Sequence, residues 1–585
     1  LALLANALPG EPVIARGEYE NGSREAPEPL TYTELVTLYE KEAIPDPLES
    51  KLTRLLNEPF VENRYTGAAA VLSHTPDLGE FLRVAFWNIE RGQGYDAIEA
   101  ALSDGRRFAA MLDARRPPLD AEARRQALEQ AALLRSADII VLNEVDWGVD
   151  RTGYRNVAGD LAAKLRMNYA FGTQFVELSP VARSLEAADP PQASAQASAQ
   201  APAQAPAQAP AQAAAQAPGS TPAASSQTFG QEQRVDRLRY KGLHGVIILS
   251  RFPLENVRLL PYDSQPYDWY KSEKNGVSVI ERGKRQLANS VFSESMAREV
   301  RRGGRTMMLA DIVDGRLPTG RVTVVTTQME NHTEPGARAK QLDQLLERIK
   351  DVDHPVILAG DMNTSTQDLT PTTVRREITK RLKSGGFWLQ QGIGYATGVG
   401  FLFDMTLTGV RYARTQSDPT VRNVPLLAPN PDAQFFNRLK DFRFADGGSF
   451  DFRGDPGRSV NLRGGLRGGA GRDGGTMANS NERSNKGFVT TFQVNRPIKC
   501  VGKYKLDWFF VKPARLTSPT DRQQPYRFAP HFGRTLQALN QGVEGRISDH
   551  NPLLVDLPLG EPQIGQEPPP RKETGRATAK RGATD

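Results

Sequence analysis

The chain has 585 residues with 74 basic and 68 acidic side chains, so it is long enough to bury a substantial core and carries a mild formal charge of +6. That bias suits a polyanionic substrate but does not by itself mark a nucleic-acid binder. Cys500 is the sole cysteine, which excludes an intrachain disulfide and a cysteine-based zinc site, and no apolar run approaches the roughly 18–20 residues of a membrane span.

The row opens on Leu1-Ala2-Leu3-Leu4 running into Ala5-Asn6-Ala7, which reads as the tail of a secretory signal ending in a small-x-small cleavage site. A truncated ordinary start is the alternative. The first reading makes the protein secreted or periplasmic, the second cytoplasmic. Residues 8–30 are rich in Pro, Gly and Glu and read as a lead-in. Leu35, Leu38 and Tyr39 share a helical face, and Leu48, Leu52, Leu55 and Leu56 repeat at helical spacing, so residues 1–80 are expected to form a lead-in with a short helical appendage.

From about Phe81 the pattern becomes short β-rich runs separated by helices. The runs are 82–87, 138–143, 245–250, 307–313, 321–328, 355–359, 504–511 and 551–556, and helices are expected at 120–136, 156–166, 335–350 and 371–385. Alternation of this kind indicates an α/β fold. An Ala/Pro/Gln tract at 187–228 has nothing to bury and reads as a disordered surface loop inside one domain spanning 81–557. The Gly/Arg/Asp-rich stretch 446–475 reads as a second mobile loop, and 558–585 as a disordered basic tail.

The chemistry-bearing residues fall at strand ends. Val84–Trp87 leads to Asn88-Ile89-Glu90, Asp138–Leu142 to Asn143-Glu144, and Pro355–Ala359 to Gly360-Asp361-Met362-Asn363. Asp507 precedes the run Trp508–Val511, and Ser548-Asp549-His550 precedes the last strand. Each piece alone is an ordinary turn; five such ends in one chain are not expected by chance.

These motifs, in this order, resemble those of the endonuclease/exonuclease/phosphatase family, the deoxyribonuclease I-like phosphoesterases, and the resemblance covers about 81–557. It implies a four-layer sandwich of two mixed β-sheets packed face to face with helices outside. It also implies that Glu144 is the central ligand of Mg²⁺ or Mn²⁺, helped by Asn88, Glu90 and Asp549. Asp361 would orient or deprotonate water, with Asn363 holding it. His550 would face the phosphate, with Asp507 orienting its ring. Hard oxygen donors of this kind suit such a cation. Expected substrate contacts are His244, His332, Arg338 and Trp508; for the two histidines, packing or a loop position is the alternative. The stretch Tyr262, Tyr267, Trp269 and Tyr270 beside Lys271 and Lys274 reads either as base-stacking or as a loop packing its own aromatics.

Two positions depart from the family pattern. Met329 stands where many members are expected to carry a histidine, and Glu90 where several carry Asp. Three functions remain open: a nuclease on nucleic-acid phosphodiesters, ranked first; a phosphatase or phosphodiesterase of small or lipid phosphoesters, sphingomyelinase-like; and an inactive binding module. Lys505-Leu506-Asp507-Trp508 differs from the Trp-x-Asp-Arg of inositol 5-phosphatases, which disfavours that version. A monomer is expected.

Overall fold

The computed structural model describes residues 26–65, 70–181, 235–274, 299–364, 433–453, 458, 483–484, 487–488, 490–498 and 501–563. The expected disordered tract at 187–228, the helix at 371–385 and the signal-like start lie outside the described residues.

In chain order the strands are β1 (Phe60–Glu62), β2 (Ser73–Thr75), β3 (Gly79–Arg91), β4 (Ile139–Trp147), β5 (Asn168–Glu177), β6 (Leu243–Ser250), β7 (Leu254–Pro261), β8 (Arg301–Gly303) and β9 (Thr306–Val313). They continue with β10 (Arg321–Gln328), β11 (Val356–Asp361), β12 (Arg483–Ser484), β13 (Gly487–Phe488), β14 (Phe492–Ile498), β15 (Val501–Tyr504), β16 (Asp507–Lys512), β17 (His531–Thr535) and β18 (Leu553–Pro558). One large sheet runs β1-β5-β6-β4-β3-β18-β17, with β2 and β8 added at β3 and β5; a five-stranded sheet runs β16-β11-β10-β9-β7. β3 and β4 are parallel, as are β10 and β11, while their other neighbours are antiparallel, so both sheets are mixed.

Side chains alternate across each strand, so each of the two large sheets presents two apolar faces. Between the sheets, Val84, Phe86, Ile139 and Val141 meet Val324, Ile357, Phe509 and Val511. On the far side of the larger sheet, Ala85, Trp87, Ile140 and Leu142 pack on Ala127, Ala131 and Leu134 of the helix Ala121–Arg135. On the far side of the smaller one, Val325, Leu358 and Phe510 meet Leu342, Leu345 and Phe436 from the helices Pro335–Ile349 and Ala433–Asp441. The result is the expected helix–sheet–sheet–helix sandwich.

The N-terminal segment belongs to this body. Its helices Tyr32–Glu40 and Asp46–Asn57 bury Leu35, Leu38, Leu48, Leu52 and Leu55, and the first begins in a Thr31/Glu34 capping box. β1 then pairs with β5, so the sheet begins well before residue 81. The start of the stretch 446–475 departs from its expectation as a mobile loop. Phe450, Asp451 and Phe452 are fully buried, and Arg453 and Arg458 both bind the Asp451 carboxylate. Phe450 and Phe452 give those residues an apolar payload that the glycine content hides. No helix among the described residues is long and apolar enough to cross a membrane.

Candidate active site

Five chain segments converge at one end of the sandwich. Asn143, fully buried beneath them, ties the sheets together: its amide donates to Thr327 O at 2.8 Å and its Oδ1 accepts from Thr326 Oγ1 at 3.1 Å. Just above, β3 and β4 deliver Asn88, Glu90 and Glu144. Asn88 Nδ2 donates to Glu144 Oε1 at 3.1 Å and to Asp361 Oδ2 at 3.3 Å, while its Oδ1 accepts the Glu90 N–H. The Glu90 Oε2 accepts the Asp549 N–H at 2.9 Å, which joins the last motif to the first.

β11 ends on Asp361, whose Oδ1 accepts the Asn363 N–H at 2.9 Å. The preceding Gly360 is required by packing, because a Cβ there would lie 2.2 Å from Thr327 O. β16 starts on Asp507, and its Oδ2 lies 2.8 Å from His550 Nδ1; the other ring nitrogen, Nε2, lies 4.0 Å from Asp361 Oδ2. Thr491 Oγ1 accepts the N–H of both Leu506 and Asp507 and so fixes the start of that strand. Glu90 (φ 48°), Glu144 (φ 54°) and Asn363 (φ 46°) all adopt the left-handed backbone region, which costs a non-glycine residue energy and clusters at functional sites.

The electrostatics follow from burial and crowding. Burial, with Asp549 beside it, pushes Glu90 up to about 8, and burial with the Asp507 charge pushes Asp361 up to about 7. Burial would also raise Glu144, but Arg91, His244 and His550 draw it down to about 2. Burial disfavours a charged His550, yet Asp507 and Asp549 hold its ring well above the usual histidine range, as an imidazolium. Asp507 Oδ1 is buried without a hydrogen-bond partner. The site thus crowds carboxylates, and burial with mutual repulsion leaves two of them, Glu90 and Asp361, partly protonated near neutral pH. Hard oxygen donors crowded in this way fit a divalent cation. Asp361, Asp507 and His550 also offer ligand atoms within 4.8 Å of one another.

Of the expected substrate contacts, His244 is buried on the paired strand β6 opposite Asp146 and shares its Nδ1 with Asp146 Oδ1 at 2.9 Å. His332 is half-buried against Tyr267 and Trp269, with ring centroids 4.9 and 4.7 Å apart. The aromatic stretch is packed into the body: Tyr262, Trp269 and Tyr270 are buried, Tyr262 and Tyr270 in the outer cores of the smaller and larger sheets, and only Tyr267 and Trp269 touch each other. Two expectations are corrected. Trp508 is fully buried, stacks on Phe510 and donates Nε1–H to Thr364 O, because alternation along β16 turns it away from the cleft that Asp507 faces. Arg338 is buried and donates to Thr333 O, holding the turn into its own helix.

The same alternation moves the departure expected at Met329. That side chain lies in the outer core, and the strand end presents Gln328 instead, with Nε2 donating to Glu144 Oε1 at 2.7 Å. Gln328 was missed because a glutamine closing a strand carries no catalytic signature; its place in the alternation, one residue before Met329, was the available signal. Thr491 and Arg91 were missed for the same lack of a motif.

The pattern described as the Endonuclease/Exonuclease/phosphatase family matches residues 85–550. No curated protein matches the chain. Among solved structures, it is similar to an endonuclease/exonuclease/phosphatase from Beutenbergia cavernae at 15% identity and a TM-score of 0.34, covering 82% of this chain and 72% of that one. It is also similar to the human Nocturnin catalytic domain (11% identity, TM-score 0.31, covering 83% and 95%). A 3'-5' exonuclease from Neisseria meningitidis is similar at 12% identity and a TM-score of 0.32, covering 81% and 99%. The chain belongs to the endonuclease/exonuclease/phosphatase family, whose members are metal-dependent phosphoester hydrolases.

Proposed function

We propose that the protein is a nuclease that hydrolyses nucleic-acid phosphodiesters with a divalent cation, Mg²⁺ or Mn²⁺, held by Glu144, Glu90, Asp549 and Asn88. The observation that carries hydrolysis is the pairing of a charged His550, anchored by Asp507, with a buried Asp361 across 4.0 Å. When bound there, the cation would supply positive charge to the phosphate's non-bridging oxygens. Asp361, raised to about 7, orients the attacking water and takes its proton. Asn363 holds Asp361 through its backbone N–H, and its side-chain amide donates to Met329 O at 2.9 Å and to Asp361 Oδ2 at 3.4 Å. As the new phosphorus–oxygen bond forms and the ester bond breaks, His550 gives its Nε2 proton to the departing oxygen, and Asp507 keeps the ring in line.

Nucleic acid is favoured by the half-buried Phe492, whose ring centroid lies 4.9 Å from that of His550 and gives the cleft an aromatic face suited to a nucleoside. Trp508, buried and turned away from Asp507, plays no part in this choice. The alternative is a small or lipid phosphoester. Purified protein with Mg²⁺ or Mn²⁺ should cleave plasmid DNA, single strands or RNA, with binding that weakens steeply as salt rises. Turnover of sphingomyelin or a generic phosphodiester alone would overturn the nuclease assignment, and full activity in excess chelator would overturn the metal.

A further inference from the structure

We propose that Gln328 and Arg305 are positioning residues that lock the Glu144 carboxylate by a single oxygen and leave the other for the cation. This rests on Glu144 being a metal ligand, as proposed above. Glu144 Oε1 accepts from two amides, Asn88 Nδ2 at 3.1 Å and Gln328 Nε2 at 2.7 Å. No described residue donates to Oε2.

Gln328 has no rotational ambiguity here. Its Oε1 accepts from Arg305 Nη1 at 2.5 Å, and a guanidinium only donates. Turning the amide over would set its NH₂ against the guanidinium and its oxygen against the carboxylate. Arg305 thereby dictates which end of Gln328 meets Glu144. Arg305 is held in turn by Glu330: its Nε lies 3.4 Å from Glu330 Oε2, which also accepts the Trp269 indole N–H at 3.0 Å. Gln328, Arg305 and Glu330 are all buried, so the arm is shielded from competing water. Groups that orient a metal-binding carboxylate in this way typically change metal affinity about 10–100-fold when removed.

The test is calorimetric titration of the full chain with Mn²⁺ alone, beside thermal unfolding. Gln328→Met, close in shape but without the amide, should weaken Mn²⁺ binding at least about tenfold. Arg305→Lys, which keeps the charge but loses the fork, should weaken it less, and the double variant should add little to Gln328→Met because the two act in series. If Gln328→Met does not fold, Gln328→Asn, an amide too short to reach, takes its place. Glu144→Gln is the control for the underlying reading. Loss of binding there with parental affinity in the Gln328 variants overturns the positioning arm. Parental affinity in Glu144→Gln overturns the metal reading itself. Losses that simply add in the double variant also overturn the serial arrangement.

Discussion

Asp507 and His550, 43 positions apart in the chain, share a hydrogen bond of 2.8 Å at the floor of the cleft, and the far edge of the same ring faces Asp361. The carboxylate fixes which nitrogen is left for chemistry. Asp361→Asn and His550→Ala should each lower turnover at least about 10²-fold, the scale for losing a positioned acid or base. Asp507→Asn should also be harmful but add little to His550→Ala, because the pair acts as a unit. Turnover measured beside thermal unfolding decides the matter. Folded variants with near-parental rates would remove these residues from the reaction.

The segment 187–228 lies in sequence between β5, which ends at Glu177, and β6, which starts at Leu243, and these two strands pair directly along their length. Its Ala/Pro/Gln composition offers little apolar surface to offset ordering. Replacing it with a short Gly/Ser turn should leave the melting temperature and the activity almost unchanged. A large loss of stability would show that the tract docks on the sandwich.

The eight expected strands were legible because Val, Ile, Leu and Phe dominate them, and their ends carried the site because Asp, Asn and Glu interrupt those runs. β7 was not legible: Glu255, Asn256 and Arg258 sit on an edge strand with one face open to water, so the apolar signal is halved. The last-but-one run, read as 504–511, is broken in two at Lys505-Leu506, where the chain turns to deliver Asp507. Trp508 and Gln328 show a second limit. Proximity to a motif does not tell which face of a strand a residue occupies, and a one-residue step reverses it.

Asp138 immediately precedes β4 at the end of that strand away from Glu144, is 1% exposed, and accepts the Arg83 N–H at 2.7 Å. Burial pushes its carboxyl up to about 6, with Asp556 adding, against the Arg83 hydrogen bond and the Arg251 charge. A folded-state value above the unfolded one means the native state holds this proton more tightly. The group's contribution to stability is therefore present below about pH 4 and lost as pH rises through about 6. Asp138→Asn keeps the acceptor for Arg83 and is neutral throughout. It should raise the melting temperature at pH 7.5, by at most about 3 kcal/mol of stability, and the gain should shrink towards pH 5. A loss of stability that grows as pH rises from about 4 to 7.5 would show that the ionised form is the one the fold prefers.

Trp508 and Asp507 are adjacent in sequence and opposite in role, which gives the sharpest separation of scaffold from site. The indole is fully buried between Phe436 and Phe510, with its N–H satisfied by Thr364 O at 3.1 Å. Trp508→Ala should cost about 3–5 kcal/mol through the cavity it leaves. Trp508→Phe keeps most of the ring and loses the hydrogen bond, so it should cost less and leave KM for a nucleic-acid substrate near the parental value. Asp507→Asn should behave in the opposite way, with a small change in melting temperature and a large fall in kcat. The measurement is unfolding and steady-state kinetics on all three variants. A rise in KM for Trp508→Phe at parental stability would return this residue to the substrate-binding surface.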